Sequence, residues 1–102
     1  MIVASAWRAY SKSTLQGFVT LTLRPSGLVL RDCSLHEKEG RRWIGLPMRP
    51  QLDRDGKQLV SLKDNKPCWS QVVDFESKDA RERLQAAALA AVDRLIGRGS
   101  AP

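Results

Sequence analysis

Alternating apolar and polar residues over the first two thirds of the chain predict β-strands. The clearest alternation runs from Gln16 to Leu23, where Val19, Leu21 and Leu23 share one face. Phe18, Thr20, Thr22 and Arg24 then share the opposite, more polar face. Further strands are predicted over residues 2–10, 28–37 and 41–46, separated by turn-forming polar, glycine and proline residues. Leu59 to Leu62 and Cys68 to Phe75 are weaker candidates, and Pro47 to Asp55 is predicted to be a loop.

The pattern changes to helical spacing after Ser77, which is a favourable N-cap. One apolar stripe follows the i, i+4, i+7 rule, and Gly97 ends it. Its members are Ala80, Leu84, Ala88, Ala91, Val92 and Leu95. The predicted fold is α+β: a curved antiparallel sheet of four or more strands, followed by one C-terminal helix packed on one face. Residues 1–97 form a single domain in this prediction, and residues 98–102 form a flexible tail.

Charge and composition restrict the functions to consider. The 102 residues carry a formal net charge of +6, and residues 1–30 contain basic but no acidic side chains. A basic surplus of this kind is typical of nucleic-acid-binding proteins. No apolar run approaches the roughly 18 residues that cross a bilayer, and no signal peptide is evident, so we expect a cytoplasmic protein without membrane contact. Two cysteines without Cys-x-x-Cys spacing and one histidine indicate no metal site, with reduced thiols as the default.

The segment Arg41 to Pro50 is the main candidate for function. It places Arg41, Arg42 and Arg49 near Trp43, which suits phosphate contacts and base stacking. The alternative is that Trp43 is buried in the core. If Ile44 and Leu46 point at the helix, Trp43 lies on the uncovered face with Arg41.

The polar face with Phe18 and Arg24 is a second candidate, either for nucleic acid or for a dimer interface. Trp7 and Arg8 lie on opposite sides of the first strand, so only one of them faces that surface. Trp69 is expected in the core, and His36 is expected to be a surface residue at a strand end. The Asp53 to Gly56 segment predicts a turn, because it lacks the remaining ligands of a calcium loop.

From about Leu21 to Leu95 the chain resembles the stage V sporulation protein G (SpoVG) family of small bacterial DNA- and RNA-binding regulators. The matching pieces are Leu28 to Cys33, Gly40, Trp43 to Pro47, Asp55-Gly56 and the helix with Arg81. The chain departs from the family in the longer Leu59 to Phe75 stretch and in the segment around Arg49. The order of strands and helix also resembles, at the level of fold alone, Whirly and Pur-alpha-type single-strand binders.

These observations predict a non-enzymatic homodimer that binds single-stranded DNA or RNA through a basic, aromatic-bearing sheet face. The predicted binding residues are Phe18, Arg24, Arg41, Arg42, Trp43 and Arg49. We expect no catalytic residues, no cofactor, no metal and no small-molecule substrate. A transcriptional or post-transcriptional role in a bacterium or phage would fit this activity. The alternatives are a protein-interaction or dimerisation module and, less favoured, a small nuclease.

Overall fold

Four strands that follow one another in the chain form the main sheet, in the antiparallel order β1-β2-β3-β4. The structure is a computed structural model that describes residues 1–97, and the predicted tail over residues 98–102 lies outside them. The elements are β1 (Ile2–Lys12), β2 (Leu15–Leu23), β3 (Leu28–Lys38), β4 (Arg41–Gly45), β5 (Met48–Pro50), β6 (Trp69–Gln71) and α1 (Lys78–Ile96). The predicted α+β fold, with one helix after the sheet, is confirmed.

Two bulges control which side chains point towards the helix. Ala6 in β1 and Asp32 in β3 have positive φ angles of 54° and 57°, and the register of the sheet shifts beside each of them. An inserted residue changes the side on which later side chains emerge. Trp7 therefore packs against the core, whereas Arg8 emerges on the opposite face. The sequence left open which of the two would do so.

Helix α1 covers one face of the sheet and packs on β1 and β4. Ser77 caps it, because the Ser77 hydroxyl accepts a hydrogen bond from the Ala80 N–H, and Gly97 ends it in a left-handed conformation. Both predicted helix ends are confirmed. The core under the helix is one cluster formed by Ile2, Ala4, Val19, Leu21, Leu30, Cys33, Leu35, Ile44, Ala88, Ala91 and Val92.

The predicted helix stripe is correct at its centre and wrong at its end. Leu95 is 42% exposed, whereas Ile96, expected to flank the stripe, packs against the core. Both residues belong to the last turn of the helix, where Leu95 borders a surface depression with Met1 and Val3 instead of joining the core. The described residues contain no helix with the length and apolar character needed to cross a membrane.

Residues 48–71 form a protruding arm. Strands β5 and β6 pair at its base, and three segments meet beyond it, where the amides of Gln51, Leu59 and Cys68 donate cyclically to one another's carbonyl groups over 2.7–3.0 Å. The predicted loop after Pro47 thus begins with a short strand. The strand predicted over Leu59 to Leu62 is absent, since Val60 forms only a single bridge to Pro67. The molecule has a longest extent of 50 Å and a radius of gyration of 15.4 Å, against about 13 Å for a compact chain of this length.

Candidate nucleic-acid interface

The face of the main sheet opposite α1 is open, and the register of the strands shows which residues lie on it. Residues directly opposite in antiparallel strands share a face, so the pairing of Phe18 with Ser34 and of His36 with Trp43 places all four on this side. Their neighbours Val19, Leu35 and Ile44 are buried on the helix side. Aromatic side chains therefore occupy the uncovered face.

Trp43 is an exposed large ring on β4, the edge strand of the open face. Its side chain is 38% exposed, and its ring stacks on His36 with centroids 5.3 Å apart and planes 6° from parallel. Ile44 points at the helix, which was the condition for Trp43 to lie on the uncovered face. Trp43 does lie on that face. The alternative of a core tryptophan is wrong for Trp43.

His36 supports the Trp43 ring from below. Its Nδ1 lies 2.9 Å from the Thr14 hydroxyl, and its Nε2 lies 2.9 Å from the Ser34 hydroxyl. Burial lowers the pKa of His36 below its ordinary value of 6.5, so the imidazole is neutral at pH 7. His36 lies two residues from the end of β3 on the open face, which agrees with its expected position at a strand end, but it is half-buried and both of its ring nitrogens are hydrogen-bonded.

A second aromatic group lies on the same face around Phe18. The Tyr10 and Phe18 rings are 6.3 Å apart, and the Arg8 guanidinium lies 5.4 Å above the centre of the Phe18 ring. Arg8 also contacts Asp32 at 3.0 Å, in a pair whose two side chains are mostly exposed. Phe18 thus lies on the open face as predicted, with a cation already stacked on it.

Three further cations border these rings. Lys38 and Arg41 are cross-strand partners beside Trp43, and Lys12 is the partner of Leu15 on the other side of His36. None of the three forms a salt bridge with any residue in the described part of the chain. We call the surface formed by Arg8, Tyr10, Lys12, Phe18, His36, Lys38, Arg41 and Trp43 the aromatic-basic face.

Arg42 does not belong to this surface, and its assignment to the binding site is wrong. The guanidinium lies on the helix side and donates two hydrogen bonds, of 2.6 and 2.8 Å, to the two carboxylate oxygens of Asp93. This hydrogen bonding raises the pKa of Arg42 above its ordinary value. Alternation along β4 separates Arg42 from Arg41, because successive strand residues point to opposite faces.

Arg24 and Arg49 also lie away from Trp43. Arg24 follows the end of β2, in the turn, where it borders a depression together with Arg83 and Leu84 of the helix. Arg49 pairs with Ser70 in the arm, and the two residues line a separate depression of about 290 Å³. The expected grouping of Arg49 with Trp43 is therefore wrong, and Arg24, expected on the polar face with Phe18, lies instead in the turn beyond that strand.

A groove of about 610 Å³ runs along the free edge of β4. Trp43 and Arg41 border it on the sheet side, Met48 and Gln71 border it at the base of the arm, and Phe75 with Arg81 closes its other end. The Arg81 guanidinium lies 5.9 Å above the Phe75 ring. The groove therefore connects the aromatic-basic face to the arm.

Trp69 is 53% exposed, so the prediction of a core residue is wrong. It lies in β6, at the base of the arm, opposite Pro50. A two-stranded ribbon with no layer packed over it cannot bury an indole.

The remaining reactive side chains have structural surroundings. The Asp53 carboxylate accepts hydrogen bonds from the amides of Asp55 and Lys57, which confirms the predicted turn. Within the described residues no group of three or more His, Cys, Asp or Glu side chains is placed to hold a metal ion. Cys33 and Cys68 are free thiols. Burial, followed by the charge of Asp32, raises the pKa of Cys33 to about 11.

Five residues of the aromatic-basic face were missed as site residues: Arg8, Tyr10, Lys12, His36 and Lys38. A signal for His36 exists in the chain: a two-residue turn at Glu39-Gly40 pairs Lys38 with Arg41, and counting back pairs His36 with Trp43. No comparable signal identifies Arg8, because its direction depends on the bulge at Ala6.

Comparison of the chain with protein-family models, curated proteins and solved structures found no match. The resemblance to the SpoVG family therefore stays a prediction. The assignment of a function rests on the geometry described above.

Proposed function

We propose that this protein is a non-enzymatic nucleic-acid-binding protein that holds single-stranded DNA or RNA on the aromatic-basic face. The observation that carries the proposal is the exposed Trp43 ring, backed by neutral His36 and flanked by Arg41 and Lys38. Exposed rings beside unpaired cations are the combination that single-strand binders use for bases and phosphates.

In the proposed complex a base stacks on Trp43 while its phosphates contact Arg41 and Lys38. Stacking of this kind contributes about 1–3 kcal/mol per base. A second base lies over the Arg8–Phe18 pair, where the guanidinium is flat and exposed. The two aromatic groups are two strands apart, about 10 Å, so one strand of nucleic acid can contact both.

Single strands are preferred to duplexes in this proposal. The only helix in the described residues packs its buried side chains in the core on the face opposite Trp43, so no recognition helix borders the aromatic-basic face. Stacking on Trp43 requires an unpaired base, because bases inside a duplex are already stacked on their neighbours.

The resemblance to SpoVG-type regulators supports a transcriptional or post-transcriptional role. We extend the proposal to a cytoplasmic homodimer, since two free thiols suit a reducing compartment and a small domain with a one-sided core gains from association.

The double variant Arg41→Ala/Trp43→Ala tests this site. We expect affinity for oligothymidylate to fall by about 1–3 kcal/mol from the lost stacking, and the salt dependence to become shallower by about 0.7 from the lost phosphate contact. Fluorescence anisotropy with a labelled oligonucleotide measures both.

Arg24→Ala is the matched control. It also removes one arginine charge, but from the turn that follows β2, away from Trp43. Equal affinities of the double variant, the control and the unaltered protein would exclude the aromatic-basic face as the binding site. Circular dichroism confirms that each variant is folded.

The alternative function is protein interaction, and one observation favours it. Val3 and Val29, which both flank Thr22 across the sheet, are 38% and 41% exposed at the other end of the open face. Exposed apolar groups on a sheet face suit a protein partner or a second copy. Sedimentation velocity of Val3→Ser/Val29→Ser tests this surface, since a dimer formed there dissociates. Protein interaction is the function if that dimer is found and the unaltered protein binds no oligonucleotide at low salt.

A further inference from the structure

Trp69 is an exposed aromatic residue of the arm. Trp69 is 53% exposed, and its cross-strand partner is Pro50. The conformation beneath it is defined by backbone pairing from Met48 with Gln71 to the three-way junction of Gln51, Leu59 and Cys68. The indole is therefore held on an ordered ribbon and remains accessible.

The Trp69 side of the ribbon continues the groove beside Trp43. Met48 and Gln71 form one cross-strand pair and line that groove. Pro50 and Trp69 are two residues farther along the same strands, so they lie on the same face about 7 Å away. A ligand that leaves Trp43 along the groove reaches Trp69 next.

The arm also carries unpaired positive charge. Its basic residues are Arg49, Arg54, Lys57, Lys63 and Lys66, and no salt bridge within the described residues involves any of them. Its acidic residues are Asp53, Asp55 and Asp64, so residues 48–71 carry a formal net charge of +2. The arm is therefore a moderately cationic surface.

We propose that the arm is a second contact surface for the nucleic-acid strand held at Trp43, with Trp69 stacking on a base and Lys63 and Lys66 contacting phosphates. This inference rests on the proposed function and extends it: the site is longer than the sheet face. Charge complementarity selects a polyanion as the occupant, and the exposed ring selects one with unpaired bases.

The first test replaces Trp69 by Ala and by Phe and measures binding to two oligothymidylates. One has roughly 6 nucleotides, near the short end of common site sizes, and the other has roughly 20 nucleotides, which exceeds them. We expect Trp69→Ala to bind the long oligonucleotide about 5- to 150-fold more weakly. Trp69→Phe keeps a ring and recovers part of this loss. Binding of the short oligonucleotide, which the sheet face holds alone, stays within about 2-fold of the unaltered protein.

The second test neutralises the end of the arm with Lys63→Gln/Lys66→Gln. Its matched control is Arg83→Gln/Arg94→Gln, because these exposed arginines lie on the helix beside β1, away from the groove. For the long oligonucleotide we expect the salt slope of the arm variant to be shallower by about 1.4, from two lost contacts on a single strand. The control keeps the original slope.

The outcomes separate this inference from the proposed function. If the arm variants match their control on both lengths while Arg41→Ala/Trp43→Ala loses affinity, the arm is not a contact surface and the sheet face remains the site. If the arm variants retain full affinity but lose self-association in sedimentation, the arm contacts a second copy and the inference is overturned. If the unaltered protein binds neither oligonucleotide at low salt, both proposals fail.

Discussion

Arg41 and Arg42 are adjacent in the chain but have different roles in the structure. Arg41 is exposed on the aromatic-basic face. The Arg42 side chain is 22% exposed and forms a bidentate ion pair with Asp93 of the helix. A planar guanidinium that donates twice to one carboxylate is among the stronger polar contacts in proteins. We therefore assign Arg42 to stability and Arg41 to binding.

Arg42→Ala tests this division between neighbours. The change leaves the half-buried Asp93 carboxylate without its bidentate partner, so we expect the free energy of unfolding to fall by about 1–3 kcal/mol. The same substitution at Arg41 changes it by less than about 0.5 kcal/mol, since that side chain is exposed. Urea denaturation measures both values, and equal effects at the two positions would contradict the assignment.

Cys33 allows a prediction about pH. Its thiol is fully buried and lies 3.6 Å from the Leu30 carbonyl, to which it donates. Burial raises the pKa of Cys33 from 9.0 to about 11, so the unfolded chain releases this proton first as pH rises. The thiol's contribution to stability is complete below pH 9. It is lost between pH 9 and about 11, by roughly 1.4 kcal/mol per pH unit.

Comparison with Cys33→Ala isolates this titration from that of other groups. The variant is less stable near neutral pH, but its free energy of unfolding declines less between pH 9 and 10.5. In the native protein a thiol reagent at pH 8 should label Cys68, which is partly exposed, much faster than Cys33. Parallel pH curves for the two proteins would show that Cys33 ionises freely in the folded state.

At the scale of elements, a helix side chain completes the edge of the sheet. The Gln85 amide donates to the Ile44 carbonyl, and the Ile44 amide donates to Gln85 Oε1, each over 2.8 Å. Gln85 thus takes the place of a neighbouring strand at this point of β4. Unpaired edge groups invite pairing with other chains, and this contact removes one donor and one acceptor from the edge beside Trp43.

Gln85→Ala should therefore destabilise the protein by about 1–3 kcal/mol and accelerate amide hydrogen exchange at Ile44. Gln85→Glu is a matched variant. When ionised, its carboxylate still accepts from the Ile44 amide but cannot donate to the Ile44 carbonyl. We therefore expect exchange at the Ile44 amide to accelerate less than in Gln85→Ala. Exchange measured by NMR distinguishes them. Unchanged protection of Ile44 in Gln85→Ala would mean that another group pairs with this edge.

The sequence predicted the elements better than the directions of their side chains. The helix ends at Ser77 and Gly97 follow from local capping chemistry, and the strand order follows from short turns. The bulges at Ala6 and Asp32 leave no comparable sign, because neither residue is a glycine or proline. The positions of Arg8 and Trp7, which depend on the first bulge, therefore required the structure.

Tertiary contacts decided the candidate site residues. Alternation placed Trp43 and Arg41 together, and only the position of the helix showed that Ile44 was the buried neighbour. Alternation along β4 separates Arg42 from Trp43, but its ion pair with Asp93, a residue 51 positions away in the chain, required the structure. Trp69 was assigned to the core because tryptophan is usually well buried, and nothing local indicated a ribbon without a covering layer.

At the scale of the whole molecule, the sheet face and the arm form one continuous surface around the free edge of β4. One side of the sheet is used by the helix and the core, which leaves the other side to carry Trp43, His36 and the unpaired cations. The arm extends that surface from the groove beside β4 to Trp69. A strand of nucleic acid bound along it would contact Lys12, Lys38 and Arg41, which form no salt bridge within the described residues.

A salt titration of the unaltered protein with a single-stranded oligonucleotide and its duplex tests the central claim most directly. We predict micromolar or tighter binding of the single strand at low salt, weaker binding of the duplex, and a linear fall of log affinity with log salt concentration. A slope of about −3 corresponds to roughly four phosphate contacts on a single strand. Absence of binding at low salt, or tighter binding of the duplex, would contradict the account.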